Sequence, residues 1–221
     1  VRAFFIAGTD TGVGKTLAAC ALLWRARADG LRAVGMKPVA AGCRQTPAGL
    51  RNDDAEALQQ ASSGEPPYTA VNPCALPDPL SPHLAAARAG VSIDIPALVA
   101  GWRTLSRDAD FGVVEGAGGW LAPVSDRETM ADLARALELP VILVVGLRLG
   151  CLNHALLTAR AIAADGLHLA GWIGSGIDPG MAALAENLET LSRRLDADCL
   201  GVLPWEPAPR AAILADRLRL P

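Results

Sequence analysis

The residues Gly8-Thr9-Asp10-Thr11-Gly12-Val13-Gly14-Lys15-Thr16-Leu17 have the types and order needed to hold phosphate. A glycine-rich turn lets backbone N–H groups converge on anionic oxygens, a lysine adds a mobile positive charge, and a following hydroxyl can reach a divalent cation. Gly14, Lys15 and Thr16 stand in register with the pattern G-x-x-x-x-G-K-S/T, whereas its first glycine is displaced by one position, to Gly8. The plain alternative is a strand-to-helix turn whose Lys and Thr only begin a helix. The apolar run Ala3 to Ala7 before the turn and the helical pattern from Leu17 after it are the context that a mononucleotide cradle requires.

Lys37 and Glu115 each end an apolar run. Lys37 lies in Gly35-Met36-Lys37-Pro38, where the proline keeps the preceding backbone extended. Beside a nucleotide its charge could stabilise a transferring phosphoryl group or hold a carboxylate, whereas at an ordinary strand end it would be solvated. Glu115 closes Phe111-Gly112-Val113-Val114 and opens the loop Gly116-Ala117-Gly118-Gly119. A carboxylate next to triphosphate needs a cation between them, and Mg²⁺ held by few protein oxygens supplies one. The alternative is pairing with a surface arginine. Asn52-Asp53-Asp54 reads either as a helix cap with dipole-favoured charges or as part of a metal site. Gly150-Cys151-Leu152-Asn153 opens a helix whose free N–H groups could bind a carboxylate, with Asn153 as a simple cap and Cys151 as a core thiol equally open. His83, His154 and His168 lack metal-ligand spacing and read as structural.

The elements that must position these residues follow from the apolar periodicity. Strands are predicted at Phe4–Ala7, Ala33–Lys37, Phe111–Glu115, Val141–Val145, Leu169–Ile173 and Cys199–Leu203, most as continuous apolar runs. Helical patterns at Leu17–Ala28, Met130–Leu139 and Leu152–Ala164 end at Asp29-Gly30, Pro140 and Asp165-Gly166, each just before a strand. This alternation predicts an α/β fold of the P-loop NTPase type, a doubly wound and mostly parallel sheet with helices on both faces. Residues 42–95 break the rhythm with many prolines, and only Asp54–Gln60 and His83–Ala89 look helical. That stretch reads as an active-site insertion or as a surface excursion without function.

A chain of 221 residues that is 51% hydrophobic can bury one sizeable core, which predicts a single domain over residues 1–221. Its net charge of -3, with Lys and Arg scattered, offers nucleic acid no basic surface. The five cysteines are odd in number and widely spaced, as expected of reduced thiols. With no basic leader and no apolar run of about 18 residues, no membrane association is expected and the predicted location is cytoplasmic.

Taken in order, Gly8–Thr16, Lys37-Pro38-Val39, Arg51–Asp54, Val71-Asn72-Pro73, Ser81-Pro82-His83, Val114–Gly119 and Leu149–His154 form a series. In order and spacing it closely resembles the dethiobiotin synthetase family, from residue 3 to about residue 174. The resemblance implies ATP-dependent closure of 7,8-diaminopelargonic acid (7,8-diaminononanoate) with CO₂ or bicarbonate to dethiobiotin, ADP and phosphate. In that family an amine forms a carbamate, the carbamate attacks the γ-phosphate, and the second amine displaces phosphate from the mixed anhydride. It further implies that Gly12, Val13, Gly14, Lys15, Thr16 and Leu17 hold the nucleotide, and that Thr16, Asp54 and Glu115 hold Mg²⁺. Lys15 and Lys37 would stabilise charge on carbamate and phosphoryl group. Thr11, Ala41 and the loop Gly116, Ala117, Gly118 and Gly119 would line the diamine site. The family is a homodimer, so Gly150, Cys151 and Asn153 would bind the substrate carboxylate from the neighbouring subunit.

Three positions depart from the family pattern: Gly12 stands for a glutamate, Ala41 for a serine, and Ser175-Gly176 for an asparagine that reads adenine. The consequence expected is relaxed nucleotide-base selectivity, with Pro204-Trp205-Glu206 as the remaining base contact. One competing reading is a nucleotide-driven ATPase switch of the partition or septum-positioning type. Its early P-loop lysine is absent from Thr9–Gly12, and Ala211–Leu220 is short and weakly basic for a membrane helix. The other competing reading keeps the ligase chemistry and changes the diamine.

Overall fold

The computed structural model describes residues 1–221 and begins with β1 (Arg2–Gly8), α1 (Lys15–Ala28) and β2 (Ala33–Met36). From Ala3 to Gly8 every residue of β1 is buried, as an uninterrupted apolar run must be when both faces of its sheet are covered. The middle of the chain adds β3 (Val39–Ala40), β4 (Arg44–Thr46), β5 (Gly49–Arg51), α2 (Asp53–Ala61), α3 (Tyr68–Val71), β6 (Cys74–Ala75), α4 (Pro82–Ala89) and α5 (Ile95–Leu105). Then come β7 (Phe111–Glu115), α6 (Met130–Leu137), β8 (Val141–Leu147), α7 (Cys151–Ala164) and β9 (Leu169–Gly176). The chain closes with α8 (Leu184–Arg194), β10 (Cys199–Leu203), α9 (Ala211–Leu214) and a 3₁₀ turn over Ala215–Arg217.

Six strands form one parallel sheet in the order β10-β9-β8-β1-β7-β2. The chain leaves β1 for β2, returns to place β7 between them, and continues with β8 on the far side of β1. That reversal opens a crevice beyond the carboxyl ends of β1, β7 and β8, where ligands of such sheets bind. One face of the sheet packs α5, α6 and α7 through Trp102, Leu133 and Ile162. The other packs α1, α2 and α9 through Leu22, Leu58 and Leu214. Gly112 in the middle of β7 is required by this packing, because a Cβ there would stand 2.5 Å from the Trp102 ring.

Residues 42–95 carry more regular structure than their sequence pattern predicts. The β4–β5 hairpin is antiparallel, and its Arg44 pairs with Asp53 and Glu56 of α2, which docks it to that helix. A second small sheet pairs β3 with β6 in parallel, Val39 opposite Cys74. The short α3 carries little signal in the sequence, whereas α8 repeats Leu184, Leu188, Leu191 and, at its C-cap, Leu195 at helical spacing and adds a helix to those predicted above. Helix α6 stops at Leu137 because Glu138 turns left-handed with φ 56°, before Pro140 is reached.

Candidate active site

Beyond β1 the chain turns through Thr9–Gly14 and enters α1 with Gly14 as N-cap at φ 85°. Gly12 is also left-handed, at φ 72°. Such values favour glycine, and at Gly14 a side chain would also collide with the Ser175 hydroxyl. The turn is braced before any ligand arrives. Asp10 Oδ1 accepts the Thr11 N–H at 2.7 Å, and Asp10 Oδ2 accepts from Arg148 at 2.8 Å. Lys15 Nζ donates to the Asp10 carbonyl at 2.8 Å, a contact that phosphate oxygens would replace. Burial pushes the Lys15 ammonium down to about 8, with Glu115 acting in the opposite direction.

Three elements meet opposite this turn. Lys37, from the end of β2, is 5% exposed and not solvated. Its Nζ donates to Glu115 Oε1 at 2.6 Å and to Asp54 Oδ2 at 2.9 Å. Glu115 Oε1 also accepts the Thr16 hydroxyl at 2.8 Å, whereas Glu115 Oε2 is buried without any hydrogen-bond partner. Burial alone would push the Lys37 ammonium down, but the Glu115 and Asp54 carboxylates outweigh it and hold it above the usual lysine range. Burial likewise acts to raise Asp54, and Lys37 overrides it to hold that carboxyl below the usual range. The surface-arginine and solvated-lysine alternatives are thereby set aside.

These side chains border a cleft of about 960 Å³. Thr11, Lys15, Thr16, Lys37, Ala41 and Gly118 line it on the sheet side. Pro79, Leu80, Ser81 and Leu84 also border it, all from the stretch read as an insertion; Ser81 belongs to the motif series and Leu84 to a predicted helix, while Pro79 and Leu80, in a loop without periodicity, carry no signal. Leu17 opens on a separate cavity of about 450 Å³ bounded by Thr16, Trp24 and Arg210. Ser175 is 2% exposed and packed at Gly14, and Gly176 backs onto the Trp205 N–H at the end of β10. Gly150, Cys151 and Asn153 do not reach the cleft. Cys151 is in the core, Asn153 is exposed, and Asn153 does not cap α7, whose N-cap is Gly150. Asn52 does cap α2, its Oδ1 accepting from Asp54 and Ala55, so the capping role and the placement of Asp54 in the cluster coexist.

Residues 2–211 match the family described as AAA domain. An ATP-dependent dethiobiotin synthetase BioD of Xanthomonas euvesicatoria is 55% identical over 219 residues, covering 99% of this chain and 98% of that protein. The enzyme of the same name from Aromatoleum aromaticum is 54% identical over 220 residues, 100% of this chain and 98% of its own. The chain belongs to the dethiobiotin synthetase family. Solved structures agree on the fold: the MinC:MinD cell division complex of Aquifex aeolicus superposes with TM-score 0.57 at 15% identity, over 94% of this chain and 83% of that one. The signal recognition particle receptor FtsY of Elizabethkingia anophelis gives 0.54 at 15% identity, over 98% of this chain and 64% of its own length. Both are too distant in sequence to speak to more than the P-loop architecture. In this member of the dethiobiotin synthetase family two lysines and two carboxylates meet beside the phosphate turn; Gly12 and Ala41 line the same cleft, whereas Ser175 is buried behind Gly14.

Proposed function

We propose that this chain, an ATP-dependent dethiobiotin synthetase by family, joins 7,8-diaminopelargonic acid and CO₂ into dethiobiotin through the cluster described above. The observation that carries the reading is Lys37, a buried ammonium bridging Glu115 and Asp54 at the edge of a cleft that also exposes Lys15 and Thr16. Residues Gly12–Leu17 bind and orient the nucleotide phosphates, with the base directed toward Pro204-Trp205-Glu206. Thr11, Ala41 and the Gly116–Gly119 loop line the diamine channel. One amine takes up CO₂ and loses a proton to give a carbamate. Its oxygen attacks the γ-phosphorus while ADP leaves, with Lys15 and Lys37 facing the charge that spreads over the phosphoryl oxygens. The second amine then attacks the carbonyl carbon of the carbamic-phosphoric anhydride, the C–O bond to phosphate breaks, and the nitrogen loses a proton as the ureido ring closes.

Mg²⁺ would be held by Thr16, Asp54 and Glu115, and it would supply neutralisation of the phosphate charge. The donor set fits a hard cation, and Glu115 Oε2 is a buried acceptor that lacks a partner. No three His, Cys, Asp or Glu side chains cluster to hold a metal by themselves, which accords with a site completed by phosphate and water.

We read the segment 42–95 as an insertion serving this site within a single catalytic domain spanning 1–221, because it contributes Asp54 and the Pro79–Leu84 wall. We also propose a homodimer in which Gly150, Cys151 and Asn153 serve the partner's substrate carboxylate. In support, Leu149 is 98% and Leu121 61% exposed beside these residues and the cleft. The five free cysteines accord with a reducing compartment, so we place the protein in the cytoplasm; no helix is long and apolar enough to cross a membrane.

The test is phosphate release with MgATP and bicarbonate, with and without the diamine, while mass spectrometry follows the product. Diamine-dependent release with one dethiobiotin per phosphate is expected. Release that ignores the diamine and yields no new product would replace this reading with the ATPase switch.

A further inference from the structure

Lys37 and Asp54 come from different elements, β2 and α2, and one buried relay sets where both stand. The Tyr68 hydroxyl accepts the Asn52 N–H at 2.8 Å and donates to Asn72 Oδ1 at 3.0 Å. Asn72 Nδ2 donates to the Lys37 carbonyl at 2.7 Å, and the Lys37 N–H donates to the Val71 carbonyl at 2.8 Å. On the helix side, Asn52 Oδ1 accepts the N–H groups of Asp54 at 3.1 Å and Ala55 at 3.3 Å. Tyr68 and Asn72 are both buried, and neither lines the cleft.

The apolar contacts between α2 and the sheet, through Ala55 and Leu58, are non-directional, and the hydrogen bonds that Gly35 and Ala33 of β2 make with Ser62 and Ser63 fix the far end of the helix rather than its cap. Hydrogen bonds are directional, and the relay supplies them at both ends of the Lys37–Asp54 pair. We infer that Tyr68 and Asn72 are positioning residues for phosphoryl transfer, holding the Lys37 backbone and the α2 cap in register so that Lys37 Nζ meets both carboxylates. This rests on the roles proposed above for Lys37 and Asp54. A buried apolar pair would fill the same volume without fixing that register.

Tyr68→Phe tests the inference, because the ring and its stacking against Arg51 at 4.2 Å are kept while both relay bonds of the hydroxyl are lost. Misplacing a charged group by about 1 Å can cost about 100-fold, so a fall in kcat for dethiobiotin formation of about tenfold or more is expected. ADP affinity without Mg²⁺, measured by calorimetry so that Asp54 takes no part, is expected to change by less than about twofold, because the Gly12–Thr16 turn lies outside the relay. A kcat within about twofold of the unaltered chain would overturn the inference, as would an affinity loss as large as the kcat loss. Should Tyr68→Phe fail to fold, Asn72→Ser, which removes the donor to the Lys37 carbonyl, is judged by the same two readouts. Absence of dethiobiotin with the unaltered chain would instead overturn the functional reading, so the two failures are distinct.

Discussion

Lys37→Met keeps most of the side-chain stem and removes the ammonium from between Glu115 and Asp54. Glu115 is 1% exposed, so the substitution leaves an ionised carboxylate in the interior with only the Thr16 hydroxyl for support. Removing one partner of a buried ion pair costs about 3–5 kcal/mol. The Asp54 side chain is 45% exposed and its share is screened by water, which argues for the lower end, about 3 kcal/mol. For a chain of this length each kcal/mol moves the melting temperature by about 2–4 °C, so Lys37→Met should melt about 6–12 °C lower in chelator. Two carboxylates without their lysine also make a better divalent site. Mg²⁺ at about 100 times its dissociation constant would return about 2.7 kcal/mol. The variant's melting temperature should therefore rise steeply with Mg²⁺ while that of the unaltered chain moves less. Since Lys37 titrates above the usual lysine range, its contribution is complete below the unfolded value and is lost only as pH rises through the folded one. The stability difference should accordingly be flat across neutral pH. In the assay, turnover should fall about 100-fold, about 2.7 kcal/mol of transition-state stabilisation, with MgADP affinity nearly kept. Melting within about 1 °C of the unaltered chain in chelator would refute the ion-pair argument, and an unchanged kcat with a raised KM would refute the catalytic one.

Three shorter expectations follow from neighbouring groups. Lys15 titrates at about 8 before ligand arrives, so nucleotide affinity by calorimetry should fall as pH rises through that value and should not do so in Lys15→Arg. Because this folded value lies below the unfolded one, folding stability should rise between the two, and a flat affinity from pH 7 to 9 would contradict the burial argument. Glu115→Gln should raise the Mg²⁺ needed for half-maximal rate by about tenfold and lower turnover with it, about 1.4 kcal/mol of binding, whereas an unchanged Mg²⁺ titration would make Glu115 structural. Ser175 is packed against Gly14 and too buried to read a base, so GTP or CTP should support turnover within about tenfold of ATP, and strict ATP dependence would disprove it.

The parts of this site that were legible in the sequence are those whose chemistry is written locally. The phosphate turn declares itself by glycines between an apolar strand and a helix, and Lys37 and Glu115 each end a strand before a residue that bends the chain, Pro38 or Gly116. The parallel sheet was legible for the same reason, since its strands are unbroken apolar runs. The short β3, β4, β5 and β6 were not, because strands of two or three residues show no period and are made by docking, as Arg44 docks to α2. Tyr68 was equally silent, and Asn72 stood only as part of the motif Val71-Asn72-Pro73 with no role attached, since a tyrosine and an asparagine four residues apart acquire meaning only when β2 lies beside them.

Lys37 and Glu115 are 78 residues apart, and nothing in either local pattern says that they touch. Their contact changes what the separate motifs imply. Read singly, Lys37 acts on phosphate while Asp54 and Glu115 hold a cation. Together, the lysine already occupies the oxygens proposed for that cation, and Lys15 is tied to the Asp10 carbonyl. The two lysines and two carboxylates balance in charge, which allows them to lie in a poorly hydrated corner without ligand. For the same lysines to face a phosphoryl group, each must exchange its present partner for a phosphate oxygen. Lys37 can do so only if something else compensates Glu115, whose second oxygen has no partner even now. Substrate binding on this reading is an exchange of ion partners within a cluster of fixed charge, and the Mg²⁺-dependent melting expected of Lys37→Met measures one half of that exchange.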